Sequence, residues 1–78
     1  MTYEQLLSTI EQEAAQAVDH ARAHGGRSQA ISAVADTVWK YVERYPHLFP
    51  PDQDEHIEGA TIIQRLLAHH GLAEAHTH

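Results

Sequence analysis

The 78-residue sequence contains no cysteine. This absence excludes disulfides, zinc–thiolate sites and thiol nucleophiles, and it fits a reducing compartment. No stretch approaches the run of about 18 apolar residues that a transmembrane helix needs. The polar, acidic residues 1–13 also lack the basic region and apolar run of a signal peptide. We therefore expect a cytoplasmic protein with no membrane partner.

Basic residues are scarce: five Lys and Arg stand against 11 Asp and Glu, which gives a formal net charge of −6. The five are scattered and form no run. Because affinity for nucleic acid rests largely on Lys and Arg neutralising phosphate, no nucleic-acid partner is predicted. The acidic charge leaves open a further alternative, an inhibitor that mimics nucleic acid.

The few glycines and prolines divide the chain into three segments with helical periodicity. Gly25-Gly26 separates the first two segments, Pro46 ends the second, Pro50-Pro51 precedes the third and Gly71 ends it. The pattern predicts an all-α, three-helix unit in a single domain over residues 1–72. The expected helices cover about 3–24, 28–45 and 53–70, followed by a flexible histidine-bearing tail at 73–78.

Capping patterns predict where these helices begin. Thr2 and Gln5 have the spacing of a capping box, in which each side chain satisfies a free backbone N–H. Ser28 is the expected N-cap of the second helix. Asp52 with Glu55 repeats the capping-box spacing at the third helix. Between the last two helices, Tyr45 to Pro51 is expected to be an extended connector whose Leu48 and Phe49 pack across the bundle.

A chain of this length buries a small core, so oligomerisation or a metal is the simplest reinforcement. The third helix has a predicted inner face of Ala60, Ile63, Leu66 and Leu67, which leaves Ile57 and Ile62 on either side of it. Trp39 and Tyr41 similarly flank the inner stripe of the second helix. We expect these four residues to form the interface of a homodimer, although scattered exposed apolar residues are also common in monomers.

Eight histidines raise the question of a metal site. His20 and His24 have the i, i+4 spacing of two ligands on one helix face. Polar and cationic side chains in a last helical turn also complement the helix dipole and bind free carbonyls. We favour this second explanation and predict no dedicated metal site.

His56 and His70 are predicted on the inner face of the third helix, as hydrogen-bonded structural residues. The alternative is a site for Zn, Ni or Cu that uses His20, His24, His56 and His70. Gly59 costs about 1 kcal/mol relative to alanine in a helix, which suggests that another backbone approaches it closely.

Catalysis has little support, because Ser8, Ser28 and Ser32 occupy helical or cap positions and no glycine-rich phosphate loop is present. The sequence therefore favours a non-enzymatic protein without a cofactor. We expect a homodimer that regulates, inhibits or adapts another protein. The alternative is a histidine-based metal-binding or metal-responsive protein.

Overall fold

The computed structural model describes residues 1–73, and within this range it is all-helical, with no strand. Helix α1 spans Tyr3–His24, α2 spans Arg27–Arg44 and α3 spans Glu55–His69. A short 3-10 turn, Pro46–Leu48, lies between α2 and α3. The predicted all-α, three-helix fold is confirmed. The remainder of the predicted tail, residues 74–78, lies outside the described residues.

Helix α1 begins with the predicted capping box. The Gln5 N–H donates to Thr2 Oγ1 at 3.1 Å, and the Thr2 N–H donates to Gln5 Oε1 at 2.9 Å. At the other end of the helix, the N–H groups of Gly25 and Gly26 both donate to the carbonyl of Ala21. The two ends therefore satisfy backbone groups that the helix itself leaves free.

The chain reverses between α1 and α2 within two residues. Gly26 has φ 140°, a conformation that side-chain-bearing residues rarely adopt, and it is the N-cap of α2. The prediction of Ser28 as the N-cap is wrong, since α2 begins at Arg27 and Ser28 already lies inside it. Because Gly26 can adopt a positive φ, the turn is shorter than the prediction of Ser28 as the N-cap implied.

The connector between α2 and α3 is compact rather than extended. The Leu48 N–H donates to the carbonyl of Tyr45, and the Phe49 N–H donates to the carbonyl of Pro46. Phe49 is buried, and its ring meets the ring of Tyr3 edge to face at a centroid distance of 5.2 Å. The predicted packing of Phe49 across the bundle is confirmed.

Helix α3 begins later than its acidic residues suggested. A turn in which the Gln53 N–H donates to the carbonyl of Pro50 occupies the preceding residues. Asp54 is the N-cap, and its carboxylate accepts from the His56 N–H at 2.8 Å. The prediction that Asp52 begins the helix is wrong, because Asp52 belongs to the turn.

The end of α3 is a Schellman motif. Gly71 is left-handed at φ 69°, its N–H donates to the carbonyl of Ala68, and the Leu72 N–H donates to the carbonyl of Leu67. Leu72 is buried at 3% exposure, which gives the motif its usual hydrophobic contact. The predicted stop at Gly71 is confirmed.

The three helices share one core. Helices α1 and α2 form an antiparallel hairpin, and α3 runs in the same direction as α1. This direction follows from two contacts: the Tyr3 hydroxyl donates to Glu58 near the start of α3, and Arg22 donates to the carbonyl of His70 at its end. The buried apolar residues are Leu6, Ile10, Ala14, Val18, Ala21, Ala30, Val34, Val38, Val42, Phe49, Ile62, Leu66, Leu67 and Leu72.

Helix α3 is rotated relative to its predicted orientation. Gly59 and Ile62 are buried and Ala60 is exposed, so the placement of Ala60 inside and Ile62 outside is wrong. Burying isoleucine removes much more apolar surface from water than burying alanine does. Gly59 permits the rotation, because a Cβ there would lie 2.7 Å from Trp39 Cζ3 and 3.0 Å from Val42 Cγ2. The close neighbours of Gly59 are thus side chains, not the predicted backbone.

Candidate interaction surface

The side of α3 that points away from the core carries no charge. We call it the outer face of α3, and it consists of Ile57, Ala60, Thr61, Gln64 and Ala68, all of them exposed. Steps of three and four residues place these five side chains in one stripe along the helix. Ile57 is 65% exposed, and Met1 is the other large apolar residue that is exposed within residues 1–73.

Helix α1 also has an uncharged exposed stripe, but its side chains are polar: Gln5, Ser8, Gln12 and Gln16. Helix α1 exposes the acidic residues Glu4, Glu11 and Asp19. Helix α2 exposes Asp36, Lys40 and Glu43 along its length. The outer face of α3 is therefore distinguished by being uncharged and by exposing a large apolar side chain, that of Ile57.

Charges lie on the border of the outer face that is next to α1. Glu58 is half-buried and accepts from the Tyr3 hydroxyl at 3.3 Å, while Arg65 is exposed. Burial and then the neighbouring Glu58 raise the pKa of Tyr3, and Arg65 opposes the shift. The opposite border is aromatic: the half-buried Trp39 of α2 has its ring centroid 6.2 Å from that of His56.

The four residues predicted for an interface do not share one surface. Ile57 is exposed and Trp39 reaches the same end of α3, where it contacts the position of Gly59. Ile62 is 5% exposed and lies in the chain's own core. Tyr41 faces α1 instead. Of the four predicted interface residues, only Ile57 and Trp39 therefore lie at the same end of α3 as candidates for an interface.

Tyr41 belongs to a polar cluster that joins α1 to α2. Glu13 accepts hydrogen bonds from the Tyr41 hydroxyl, at 2.8 Å, and from Lys40 Nζ. The hydrogen bonds from Lys40 and Tyr41 lower the pKa of Glu13, and the hydrogen bond to Glu13 raises the pKa of Tyr41. The hydrogen bond to Glu13 also raises the pKa of Lys40. This cluster is a structural tie between the two helices.

The structure brings histidines together in pairs. The rings of His20 and His24 meet edge to face at a centroid distance of 4.3 Å, and those of His69 and His70 at 5.2 Å. Over residues 1–73, no group of three or more His, Asp or Glu side chains is arranged to hold a metal ion. The four histidines of the metal alternative therefore do not form one site in this range.

His56 and His70 are not on the inner face, so that prediction is wrong. The His56 side chain is 73% exposed, and its Nδ1 lies 3.3 Å from the carboxylate of Asp54. His70 is the C-cap of α3 and is half-buried. The rotation of α3 that buries Ile62 also turns His56 toward solvent.

His20 and His24 line a wide, open groove between α1 and α2, with a volume of about 670 Å³. Its lining includes the small apolar residues Ala17, Ala21 and Ala33 together with polar side chains. In the described part of the chain, no hydrogen bond joins either histidine to a serine or to an acidic residue. The other residues that line it are Glu13, Gln16, Ser28, Gln29, Ser32 and Asp36.

Comparison of the chain with protein-family models, with curated proteins and with solved structures gives no match. Among the helices of residues 1–73, none is long and apolar enough to cross a membrane.

Of the residues in the outer face of α3, only Ile57 is a large apolar residue that the sequence pattern marks as a candidate. The signal that identifies the face is an isoleucine within a set of uncharged positions spaced three or four residues apart.

Proposed function

We propose that this chain is a non-enzymatic protein-interaction protein that forms a homodimer and regulates, inhibits or adapts another protein. The observation that carries the proposal is the outer face of α3, which is uncharged and exposes Ile57. Covering this face removes an isoleucine from water without desolvating any charge. A second copy supplies the same uncharged face, and two-fold dimers are the commonest closed assemblies.

The face is small for a protein interface. A helix of 15 residues is about 22 Å long, which places a contact along it at the low end of interface sizes. We therefore expect a reversible dimer with a dissociation constant of about 1 to 100 μM, rather than an obligate one. A reversible interface of this kind suits a regulatory protein whose surface is also available to a different partner.

Sedimentation equilibrium tests the proposal. The native chain should approach twice its monomer mass as the concentration rises through the micromolar range. Ile57→Glu should remain monomeric, because it replaces the exposed isoleucine of the contact with a charge that would have to lose its water. Its thermal stability at low concentration should stay close to native, since Ile57 contributes little to the core.

Gln12→Glu is the matched control, because it adds the same charge at an exposed position of α1. This variant should dimerise like the native chain. A native chain that remains monomeric at several hundred micromolar would contradict the homodimer. An Ile57→Glu variant that dimerises normally would contradict the outer face of α3 as its interface.

A metal-responsive role is the second candidate, and the adjacent rings of His20 and His24 favour it. Imidazole suits Zn²⁺, Ni²⁺ and Cu²⁺. Two ligands leave a tetrahedral zinc site half-filled, so a strong site would need ligands from another molecule. The metal therefore ranks below the interaction role.

A further inference from the structure

We infer that the homodimer is built from two antiparallel α3 helices, with Ile57 of one copy packed on Ala68 of the partner subunit. This inference rests on the proposed function and adds the identity and register of the contact. Ile57 and Ala68 are equally distant from the midpoint between Ile62 and Ile63, and so are Thr61 and Gln64. A two-fold axis at that midpoint therefore places each residue opposite its counterpart.

The resulting pairs are complementary in size and polarity. The large, exposed Ile57 meets the small Ala68 of the partner subunit at both ends of the contact. In the centre, each Thr61 hydroxyl faces a Gln64 amide of the partner subunit. The hydroxyl donates to the Ile57 carbonyl of its own helix, at 3.1 Å, and can accept a hydrogen bond from the Gln64 N–H groups. Ala60 leaves room for the two helices to approach closely. Every contact occurs twice, as an isologous interface requires.

The charges on the border of the outer face favour the same arrangement. Glu58 and Arg65 both lie on the side of α3 that is next to α1, as the Tyr3–Glu58 hydrogen bond and the position of Arg65 beside Leu7 and Glu11 show. An antiparallel two-fold pair brings the same sides of both helices together. Glu58 then lies within about 3 Å, along the helix axis, of Arg65 of the partner subunit.

A parallel pair lacks this complementarity. Its two-fold axis runs along the helices, so the Glu58–Arg65 side of one copy meets the opposite side of the other. Ile57 would then face Ile57 of the partner subunit, and the helix dipoles would align rather than oppose each other. The antiparallel arrangement forms two ion pairs and two isoleucine–alanine contacts that the parallel arrangement does not.

Cysteine cross-linking distinguishes the two arrangements, and the native chain offers no competing thiol. A disulfide requires Cα atoms less than about 7 Å apart. In the antiparallel register, positions 57 and 57 of the two copies are separated by about 16 Å, whereas positions 57 and 68 are opposite each other.

Mixing Ile57→Cys with Ala68→Cys under mild oxidation should therefore give a covalent heterodimer. Each variant alone should form at least tenfold less covalent dimer. Self-cross-linking of Ile57→Cys would overturn the antiparallel register. So would an absence of cross-links in the mixture when sedimentation shows that both variants dimerise. The proposed homodimer itself would survive either result, and it fails only if the native chain is monomeric.

A charge swap gives a second, independent measurement. Arg65→Glu should weaken dimerisation by about tenfold, because it replaces two ion pairs between the subunits with two pairs of like charges. Adding Glu58→Arg should restore much of the lost affinity, since the pairs are then reversed rather than removed. A double variant no tighter than Arg65→Glu alone would contradict the pairing of these two residues.

Discussion

At Gly59, side chains of α2 press directly on the backbone of α3. A glycine-to-alanine change inside a helix normally stabilises by about 1 kcal/mol. Here the new Cβ would lie 2.7 Å from the Trp39 ring, and such overpacking costs about 1–3 kcal/mol. We expect Gly59→Ala to destabilise the fold by about 1 kcal/mol in urea unfolding.

A double-mutant cycle tests whether the contact with Trp39 causes the destabilisation by Gly59→Ala. Gly59→Ala in a Trp39→Phe background should cost less than it does in the native background, because the smaller ring leaves space. Equal costs in the two backgrounds would show that the tryptophan does not resist the substitution.

Glu13 gives the fold a pH dependence with a defined sign. Hydrogen bonds from Lys40 and Tyr41 lower the pKa of Glu13 below its ordinary value of 4.5. A lowered pKa in the folded state stabilises the protein above pH 4.5, and this stabilisation is lost as the pH falls through the folded-state value. Glu13→Gln should therefore melt below the native chain at pH 7, with a gap that narrows below pH 4.5.

Because Glu13 lies at the surface, the gap should be small and should shrink in salt. Glu11→Gln at an exposed position of the same helix is the matched control. A gap between the native chain and Glu13→Gln that is constant from pH 7 to pH 3 would contradict a role for the ionised carboxylate.

His20 and His24 are either ordinary residues of a helix terminus or ligands of a metal site, and metal binding can distinguish these two roles. Two imidazoles bind Ni²⁺ or Cu²⁺ weakly, so detecting some binding is not informative. A native site should stabilise the fold by about 2.7 kcal/mol at a hundredfold excess of metal over its dissociation constant. We expect stoichiometric Zn²⁺ to leave the melting temperature unchanged, and His20→Ala/His24→Ala to fold and dimerise normally. A sub-micromolar stoichiometric site that this substitution abolishes would make metal binding the leading function.

The helix boundaries show what the sequence can and cannot predict. Glycine at positions 25, 26 and 71 and proline at 46 act on the backbone directly, so the ends of the helices follow from the sequence. The start of α3 depends on a choice between Asp52 and Asp54, which are both good N-caps. The turn made by the residues after Pro50 decides that choice, and its geometry is not visible in the capping pattern.

The N-cap of α3 is therefore a direct test of this boundary. Removing an N-cap side chain costs about 1 kcal/mol. Asp54→Ala should lower the free energy of unfolding by this amount, because it leaves the His56 N–H without its partner. Asp52→Ala should change it by less than about 0.5 kcal/mol. The reverse order in chemical denaturation would place the helix start at Asp52.

Hydrophobic periodicity did not correctly predict which face of α3 points toward the core. Apolar residues surround more than half of its circumference, so several inner faces are compatible with the sequence. Packing against α1 and α2 selects the face that buries Ile62 beside Gly59. Once that face is fixed, the outer face of α3 follows, and this is why it was recognised only in the structure.

For the whole molecule, the eight histidines dominate the response to acid. Their full protonation, with the carboxylates still ionised, would change the formal net charge from −6 to +2. The net charge should therefore pass through zero in mildly acidic solution, between about pH 5 and 6. We predict a solubility minimum in this interval, measured as the protein remaining in the supernatant after centrifugation.

The Ile57→Glu variant separates the contribution of self-association from that of net charge. The solubility minimum of this variant should lie at nearly the same pH as that of the native chain. It should be shallower, because the outer face of α3 no longer supports contact between copies. Solubility that rises steadily from pH 7 to pH 5 would contradict the prediction.

The contact between Trp39 and Gly59 also gives the molecule a built-in optical reporter. The chain has one tryptophan, Trp39, which is half-buried and lies close to Gly59 and His56 of α3. Its fluorescence emission should shift to longer wavelength when α3 leaves the hairpin, whereas far-UV circular dichroism reports all three helices together. Coincident transitions would show a single cooperative unit, and an earlier fluorescence transition would show that α3 detaches first. The order in which this small bundle comes apart is therefore measurable without a label.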